Sequence, residues 1–288
     1  MQKVLVTGAT GFIGNYVIEE LLRRNYEVIA TSSSIEKAKK MPWFNQVNYI
    51  ALNFNDFEEK QNYFKYFNEP DLLIHLGWEG LPNYKSDFHL TENLPRHLAL
   101  LKNLLNNGLN DITVTGTCFE YGLQEGKLSE ETQTKPANVY ALAKDELCKK
   151  MMQFREEYKE FSFKWVRLFY MYGAGQNSNS LLSQLEKALN EGCESFNMSG
   201  GEQQRDFLPV QKVAEYIVTT AIQNIITGVI NICSGKPITV KDFVIDYLKQ
   251  HEKTIQLNLG YYPYADYEPM VFWGDNTKLF EILEGKKS

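Results

Sequence analysis

Through the first half of the chain, short apolar runs alternate with segments whose apolar residues recur every three or four positions. That alternation predicts a parallel β-sheet joined by crossover helices. Strands are expected at Lys3–Thr7, Glu27–Thr31, Val47–Leu52, Leu72–Leu76, Ile112–Thr115 and Phe163–Leu168. Ile13, Val17 and Leu21 repeat every four residues, so they share one face of a helix between the first two strands. Longer helices are expected over roughly Ser86–Asn107 and Ala137–Tyr158. After Tyr172 the pattern changes: a Gly/Asn/Ser loop at 173–180, a helical stretch at Leu181–Asn190, a Gly200-Gly201 turn and an aromatic Tyr261-Tyr262-Pro263-Tyr264 loop. The expected architecture is an α/β, doubly wound parallel sheet over residues 1–172. A smaller lobe over 173–288 lies across its strand ends, and a strand near Gly228–Cys233 returns to the sheet.

Between the first strand and the first helix stands Thr7-Gly8-Ala9-Thr10-Gly11-Phe12-Ile13-Gly14. Glycines at 8, 11 and 14 let the backbone turn tightly and approach a pyrophosphate with no Cβ in the way. The helix N-terminus behind them offers unpaired N–H groups and partial positive charge. The spacing is G-x-x-G-x-x-G rather than G-x-G-x-x-G, but its place in strand–turn–helix points to a dinucleotide. Cofactor choice is read after the second strand, where an acid would hold a ribose 2′-hydroxyl. Here Ser32, Ser33 and Ser34 follow, with Lys37 nearby, a set that suits a 2′-phosphate. The expectation is NADP(H) in preference to NAD(H), with Glu36 the rival acid and a solvated helix start the alternative role of Ser33 and Lys37.

Tyr140 and Lys144 are i and i+4 on a predicted helix and so share a face. Thr117 follows the fifth strand, at the carboxyl edge of the sheet, where open α/β folds bind ligands. With Arg205-Asp206-Phe207-Leu208-Pro209-Val210 further on, the chain resembles the extended short-chain dehydrogenase/reductase family, whose dinucleotide domain is Rossmann-type. Within it the likeness is to bacterial enzymes acting on nucleotide-linked 4-keto-6-deoxy sugars. The resemblance implies a C-terminal substrate-binding lobe and a Tyr–Lys mechanism. Tyr140 exchanges a proton with the sugar oxygen, and Lys144 lowers the phenol's pKa and touches the nicotinamide ribose. Thr117 orients the carbonyl, and Asn93 organises a helix bend or a water. Leu76 and Gly77 border the nicotinamide, Asn53 lies near the adenine where relatives place an aspartate, and Asp56 is a substitute. For the substrate it implies Arg205 at the diphosphate, Tyr170 where relatives carry an asparagine, Trp78 as a pocket wall, and contacts from Phe119 and Glu120. Asp206 is the alternative partner of Arg205. His75 reads as a buried, hydrogen-bonded strand residue.

The implied reaction is reduction of a dTDP- or UDP-linked 4-keto-6-deoxy sugar. The alternative is a nucleotide-sugar epimerase or dehydratase. Dehydration is disfavoured because Cys118 and Phe119 replace an acid pair after Thr117, and epimerisation because tightly held NAD does not suit the serines. A homodimer is expected through the two long helices, with Leu147, Met151, Phe154 and Tyr158 offered by the later one.

Composition narrows the partners. The 288 residues carry 30 basic and 36 acidic side chains, a net −6 that argues against nucleic acid. Four scattered cysteines and four histidines show no metal-ligand spacing. Reduced thiols, a strand-like start and no apolar run of membrane-spanning length lead to the expectation of a cytoplasmic protein.

Overall fold

The computed structural model describes residues 2–266 and 268–285. Seven strands form one parallel sheet: β1 (Lys3–Thr7), β2 (Glu27–Thr31), β3 (Asn48–Tyr49), β4 (Leu72–His75), β5 (Asp111–Thr117), β6 (Ser162–Leu168) and β7 (Gly228–Ile232). Their order is β7-β6-β5-β4-β1-β2-β3, so the winding reverses between β1 and β4. In such a sheet the crevice at that reversal is where a ligand fits.

Alternation along β1 builds two cores. Val4 and Val6 face a layer containing Val17, Leu21, Ile217 and Ile230, whereas Leu5 faces Leu100, Leu104, Ile112 and Trp165. The helices Phe12–Arg23 and Val210–Ile222 cover the first face, and Leu94–Asn106 and Val139–Glu157 the second. A separate core built on Leu182, Leu185, Phe196, Phe243 and Val244 belongs to the smaller lobe. The chain does not divide once at residue 172: the helix Val210–Ile222, β7 and the helix Thr277–Leu283 all pack into the sheet's first core. Their apolar faces find sheet rather than lobe to cover them.

Three predicted elements differ in extent. The strand expected over Val47–Leu52 is a regular strand only at Asn48 and Tyr49 on the sheet edge, although Ile50 and Leu52 still donate to the carbonyls of Ala30 and Ser32 at 3.0 and 3.2 Å. The long helix expected from Ser86 opens as a π-helical turn at His89–Asn93. Pro95 has no N–H to return to the carbonyl of Thr91, and the widened turn accommodates that gap. The row expected to meet a second copy instead faces inward: Leu147 and Met151 are fully buried, and Phe154 and Tyr158 are partly covered against the second core. The homodimer expectation thereby loses the surface on which it was drawn.

No helix among the described residues is long and apolar enough to cross a membrane. Among them, Cys118, Cys148 and Cys233 are buried free thiols and Cys193 is exposed.

Candidate active site

The glycine turn closes on the reversal point of the sheet. Gly8 has φ +68, and a Cβ there would stand 2.8 Å from the nitrogen of Gly77. A Cβ on Gly14 would meet the carbonyl oxygen of Gly8 at 2.3 Å. These two positions exclude side chains for different reasons: the first lets β1 approach the end of β4, the second lets the helix start against the turn. Thr7 Oγ1 accepts from the Gly77 N–H at 3.2 Å and shares a 2.8 Å hydrogen bond with His75 Nδ1. His75 in turn shares a 2.9 Å bond with His97 Nδ1, and burial pushes its pKa down to about 3.

Beside the turn lies a cavity of about 200 Å³, lined by Gly8, Thr10, Gly11, Ser33, Leu76 and Gly77 among others. Phe12, Ile13 and Gly14 form the first helical turn beneath it. The cradle and the helix N-terminus fit a dinucleotide's pyrophosphate. Leu52 and Phe54 also line this cavity, whereas Asn53 borders a neighbouring one with Asp56 and accepts from the Asn55 N–H at 3.0 Å.

The serines after β2 are largely engaged with the protein. Ser32 Oγ pairs with the Tyr49 hydroxyl at 2.9 Å, and Ser34 Oγ caps the short helix Ile35–Ala38 by accepting from the Lys37 N–H at 3.2 Å. Ser32 and Ser33 both line the cavity with Lys37.

At the ends of β4 and β5, Thr117, Tyr140 and Lys144 come together. Thr117 ends β5 and caps the following 3₁₀ turn, where Glu120 answers by accepting from the Thr117 N–H at 2.8 Å. Asn138 caps the helix Val139–Glu157, so Tyr140 and Lys144 occupy its first turns and point into the sheet edge. Tyr140 is 7% exposed and Lys144 2%. The Tyr140 ring packs edge-on or tilted against Trp78, Tyr84 and His89, at 6.1, 5.6 and 5.4 Å between centroids. Burial pushes the phenol's pKa up, with Tyr84, Glu120 and Cys118 adding to the rise, while a hydrogen bond with Thr117 opposes it. Desolvation therefore outweighs the lowering that the sequence assigned to Lys144. The Lys144 ammonium donates to the Thr115 carbonyl at 2.8 Å, and burial brings its pKa down to about 7 against the pull of Glu120.

Asn93, at the end of the π-helical turn, donates to the Glu79 carbonyl at 2.9 Å and reaches His89 Nδ1 at 3.3 Å, tying the helix to the loop after β4.

A second cavity of about 380 Å³ opens toward the smaller lobe, lined by Tyr84, Tyr170, Gln203, Arg205, Phe207 and Glu268 among others. Phe119 packs between Tyr84 and Tyr170 at its edge.

Two site expectations are corrected by this geometry. Glu120 is fully buried, with its oxygens taken up by Trp165 and Arg167 at 3.1 and 2.7 Å as well as by Thr117, so it braces the floor of the site rather than facing substrate. Trp78 lines the cavity of the glycine turn rather than the second one. The alternative partner of Arg205, Asp206, is taken by the N–H groups of Ser234 and Gly235, from which it accepts, and Arg205 pairs elsewhere. Its partner is Glu268, at 2.9 Å.

Glu268, Tyr84 and His89 were not found by sequence reasoning. Glu268 lies 63 positions from Arg205 and just past an aromatic loop, with no local pattern to mark it. Arg205 is 2% exposed, and although it also donates to the Gln204 and Met270 carbonyls, Glu268→Ala leaves its buried guanidinium without a counter-charge. The expected loss is about 3 kcal/mol of unfolding free energy, read from urea denaturation.

A doubly wound sheet, a glycine cradle at its reversal point and a Thr–Tyr–Lys cluster at the strand ends together define a dinucleotide-dependent α/β enzyme. The model of the NAD dependent epimerase/dehydratase family matches residues 4–233, and the chain belongs to that family.

A dTDP-6-deoxy-L-talose 4-dehydrogenase (NAD(+)) from Aggregatibacter actinomycetemcomitans is 29% identical over 271 residues, 94% of this chain and 98% of that protein. A GDP-6-deoxy-D-talose 4-dehydrogenase from the same organism is 28% identical, over 98% of this chain and 91% of its own. Among solved structures, the UDP-N-acetylglucosamine 4-epimerase of Methanobrevibacter ruminantium M1 superposes with a TM-score of 0.85 at 23% identity, covering 98% of this chain and 91% of its own. The UDP-glucuronic acid 4-epimerase of Bacillus cereus, solved with NAD, gives 0.82 at 23% identity, covering 100% and 94%.

The cofactor expectation is overturned here. The structural relatives named with a cofactor carry NAD and none NADP. The engagement of Ser32 and Ser34 gives the physical reason: hydroxyls read as phosphate ligands are holding Tyr49 and a helix cap.

Proposed function

We propose that this protein carries out NAD-dependent redox chemistry at C4 of a nucleotide-linked hexose, with Tyr140 moving the proton at the C4 oxygen. The observation that carries the reading is the convergence of Thr117, Tyr140 and Lys144 near the glycine-turn cavity and the second cavity. Bound NAD would supply the acceptor or donor for the hydrogen on the sugar carbon. Tyr140, kept protonated by burial, is poised to give its proton to a carbonyl oxygen as that oxygen gains charge. The Lys144 ammonium lies one turn away and favours the phenolate that remains. Thr117 orients the same oxygen with its hydroxyl. Asn93 and His89 hold the loop after β4 against this cluster.

Two net reactions use these residues. The solved relatives named as 4-epimerases favour C4 epimerisation, and the loss of the NADP reading removes the ground on which the sequence disfavoured it. The two 4-dehydrogenases that align along nearly the whole chain favour the second, reduction of a 4-keto-6-deoxy sugar. Dehydration lacks its acid pair: Phe119 packs on tyrosines, and burial drives the Cys118 thiol upward.

The test is to supply 4-keto-6-deoxy and 4-hydroxy sugar nucleotides, on dTDP, UDP and GDP, with NADH or NAD. Stoichiometric NADH loss with the keto sugars identifies the reductase. C4 inversion without net change in reduced nicotinamide identifies the epimerase. Neither change with any of the panel overturns the proposal. In whichever reaction is found, kcat/KM with NAD(H) is expected to exceed that with NADP(H) by at least about tenfold, since the Ser32 and Ser34 hydroxyls are already engaged with Tyr49 and a helix cap.

A further inference from the structure

The ammonium of Lys144 is buried with a carbonyl and a ring for company. Its Nζ donates to the Thr115 carbonyl at 2.8 Å and stands 4.2 Å from the centre of the Trp78 indole, a cation–π distance. Trp165 lies further off, at 5.9 Å. The indole is itself held firmly. Its Nε1–H donates to His89 Nδ1 at 3.1 Å, and His89 Nε2 bonds the Asn83 carbonyl at 3.0 Å. Those two partners assign the His89 tautomer: Nδ1 accepts and Nε2–H donates. The indole also stacks on His97, at 4.7 Å and 15° between planes. His97 is bonded through His75 to Thr7, at the foot of the glycine turn.

We propose that Trp78 is a positioning residue for Lys144, its ring face holding the ammonium charged and aimed at the reacting groups in the role a carboxylate would otherwise take. This deepens the proposed function and rests on its reading of Tyr140 and Lys144 as the reacting pair. The physical advantage is in the donors. An ammonium has three N–H groups; Thr115 takes one, and a ring attracts the charge broadly without a fixed acceptor atom. N–H donors stay available for a ribose hydroxyl and for the phenol. A carboxylate at the same place would hold the ammonium tightly and compete with the phenolate for it. Donation from Trp78 to His89 increases electron density on the indole, which strengthens the attraction.

The groups that face Lys144 are few. Tyr140 shares its helix, Glu120 follows β5 and is paired with Arg167, His75 ends β4, and His89 and His97 lie on the π-turn and the helix after it. Burial lowers all three histidines, His75 to about 3 and His97 well below the ordinary value, which leaves the ring and the distant Glu120 to favour the charge.

The experiment follows Lys144 directly, in protein without NAD or sugar. Lysine labelled with ¹³C at Cε is titrated by NMR, and the Lys144 signal is assigned by its loss in Lys144→Met. Trp78→Phe is expected to lower the Lys144 midpoint by about 0.5 pH unit and Trp78→Leu by about 1. Because Trp78→Leu changes packing and can fail to fold, a second measurement keeps the shape constant. Protein grown on ring-fluorinated tryptophan has weakened π faces at unchanged size. Fluorination is expected to lower the midpoint in otherwise native protein by about 0.5 unit and to leave it unmoved in Trp78→Phe. A midpoint that fluorination does not move, or that moves equally in both proteins, overturns the proposal. Loss of all activity on nucleotide sugars would sink the functional reading and leave this titration interpretable.

Discussion

Tyr140→Phe is expected to lower turnover by on the order of 10²–10⁴-fold while the fold and NAD affinity remain. The substitution deletes one hydroxyl and keeps the ring, and the ring is what packs against Trp78, Tyr84 and His89. The hydroxyl's hydrogen bond is with Thr117, a neutral group, so its loss does not strand a charge. NAD affinity should hold because the glycine turn and Lys144 are untouched. Single-turnover rates and NAD binding by calorimetry separate the two quantities. A variant that binds NAD normally and turns over at more than about a tenth of the native rate would remove Tyr140 from the proton path.

Lys144→Met should do the opposite to stability and activity: it is expected to make the protein more stable and nearly inactive. A long apolar side chain replaces an ammonium that is 2% exposed and whose pKa burial lowers from 10.5 to about 7. Keeping that charge out of water costs on the order of 5 kcal/mol below the folded-state midpoint, a cost methionine avoids. The sign with pH follows from linkage. Between about 7 and 10.5 the unfolded lysine holds a proton that the folded one has released, so native stability rises with pH through that window. The advantage of Lys144→Met should therefore be full below pH 7 and fade as pH approaches 10. Urea denaturation midpoints at pH 6, 8 and 9.5 would show it. An advantage that is absent at pH 6, or that grows with pH, would mean that Lys144 is not buried as a charge.

Both variants depend on residues whose local roles were legible. Val4, Leu5 and Val6 alternate in the sequence and alternate between the two cores, because a strand's side chains must leave on opposite sides. Tyr140 and Lys144 share a face because a helix repeats every 3.6 residues, and Asn138 marks where that helix starts. The glycine turn was readable for a similar reason. Gly14 is excluded from carrying a Cβ by backbone close at hand, the Gly8 carbonyl it would strike, and Gly8 by its own positive φ, although the atoms a Gly8 Cβ would strike belong to the distant Leu76 and Gly77.

What tertiary structure alone decided is which distant groups share a charge or a hydroxyl. Arg205 was readable as a lone arginine in a turn, but folding paired it with Glu268 instead of its neighbour Asp206. Glu120 stands three residues from Thr117 in the sequence, yet β6 brings Arg167 and Trp165 against it and takes it out of the site. Ser32 misled in the same way, because Tyr49 reaches its hydroxyl from the edge strand. The apolar row on the helix Val139–Glu157 was correctly apolar, but only the packed sheet shows that Leu147 and Met151 are already covered. Periodicity, caps and tight turns are set by residues within a few positions of one another, so the sequence carries them openly. Compensation of a buried charge is set by whichever segment arrives beside it, and in this protein the Trp78 ring reached Lys144 across 66 positions of chain with no pattern in either neighbourhood to announce it.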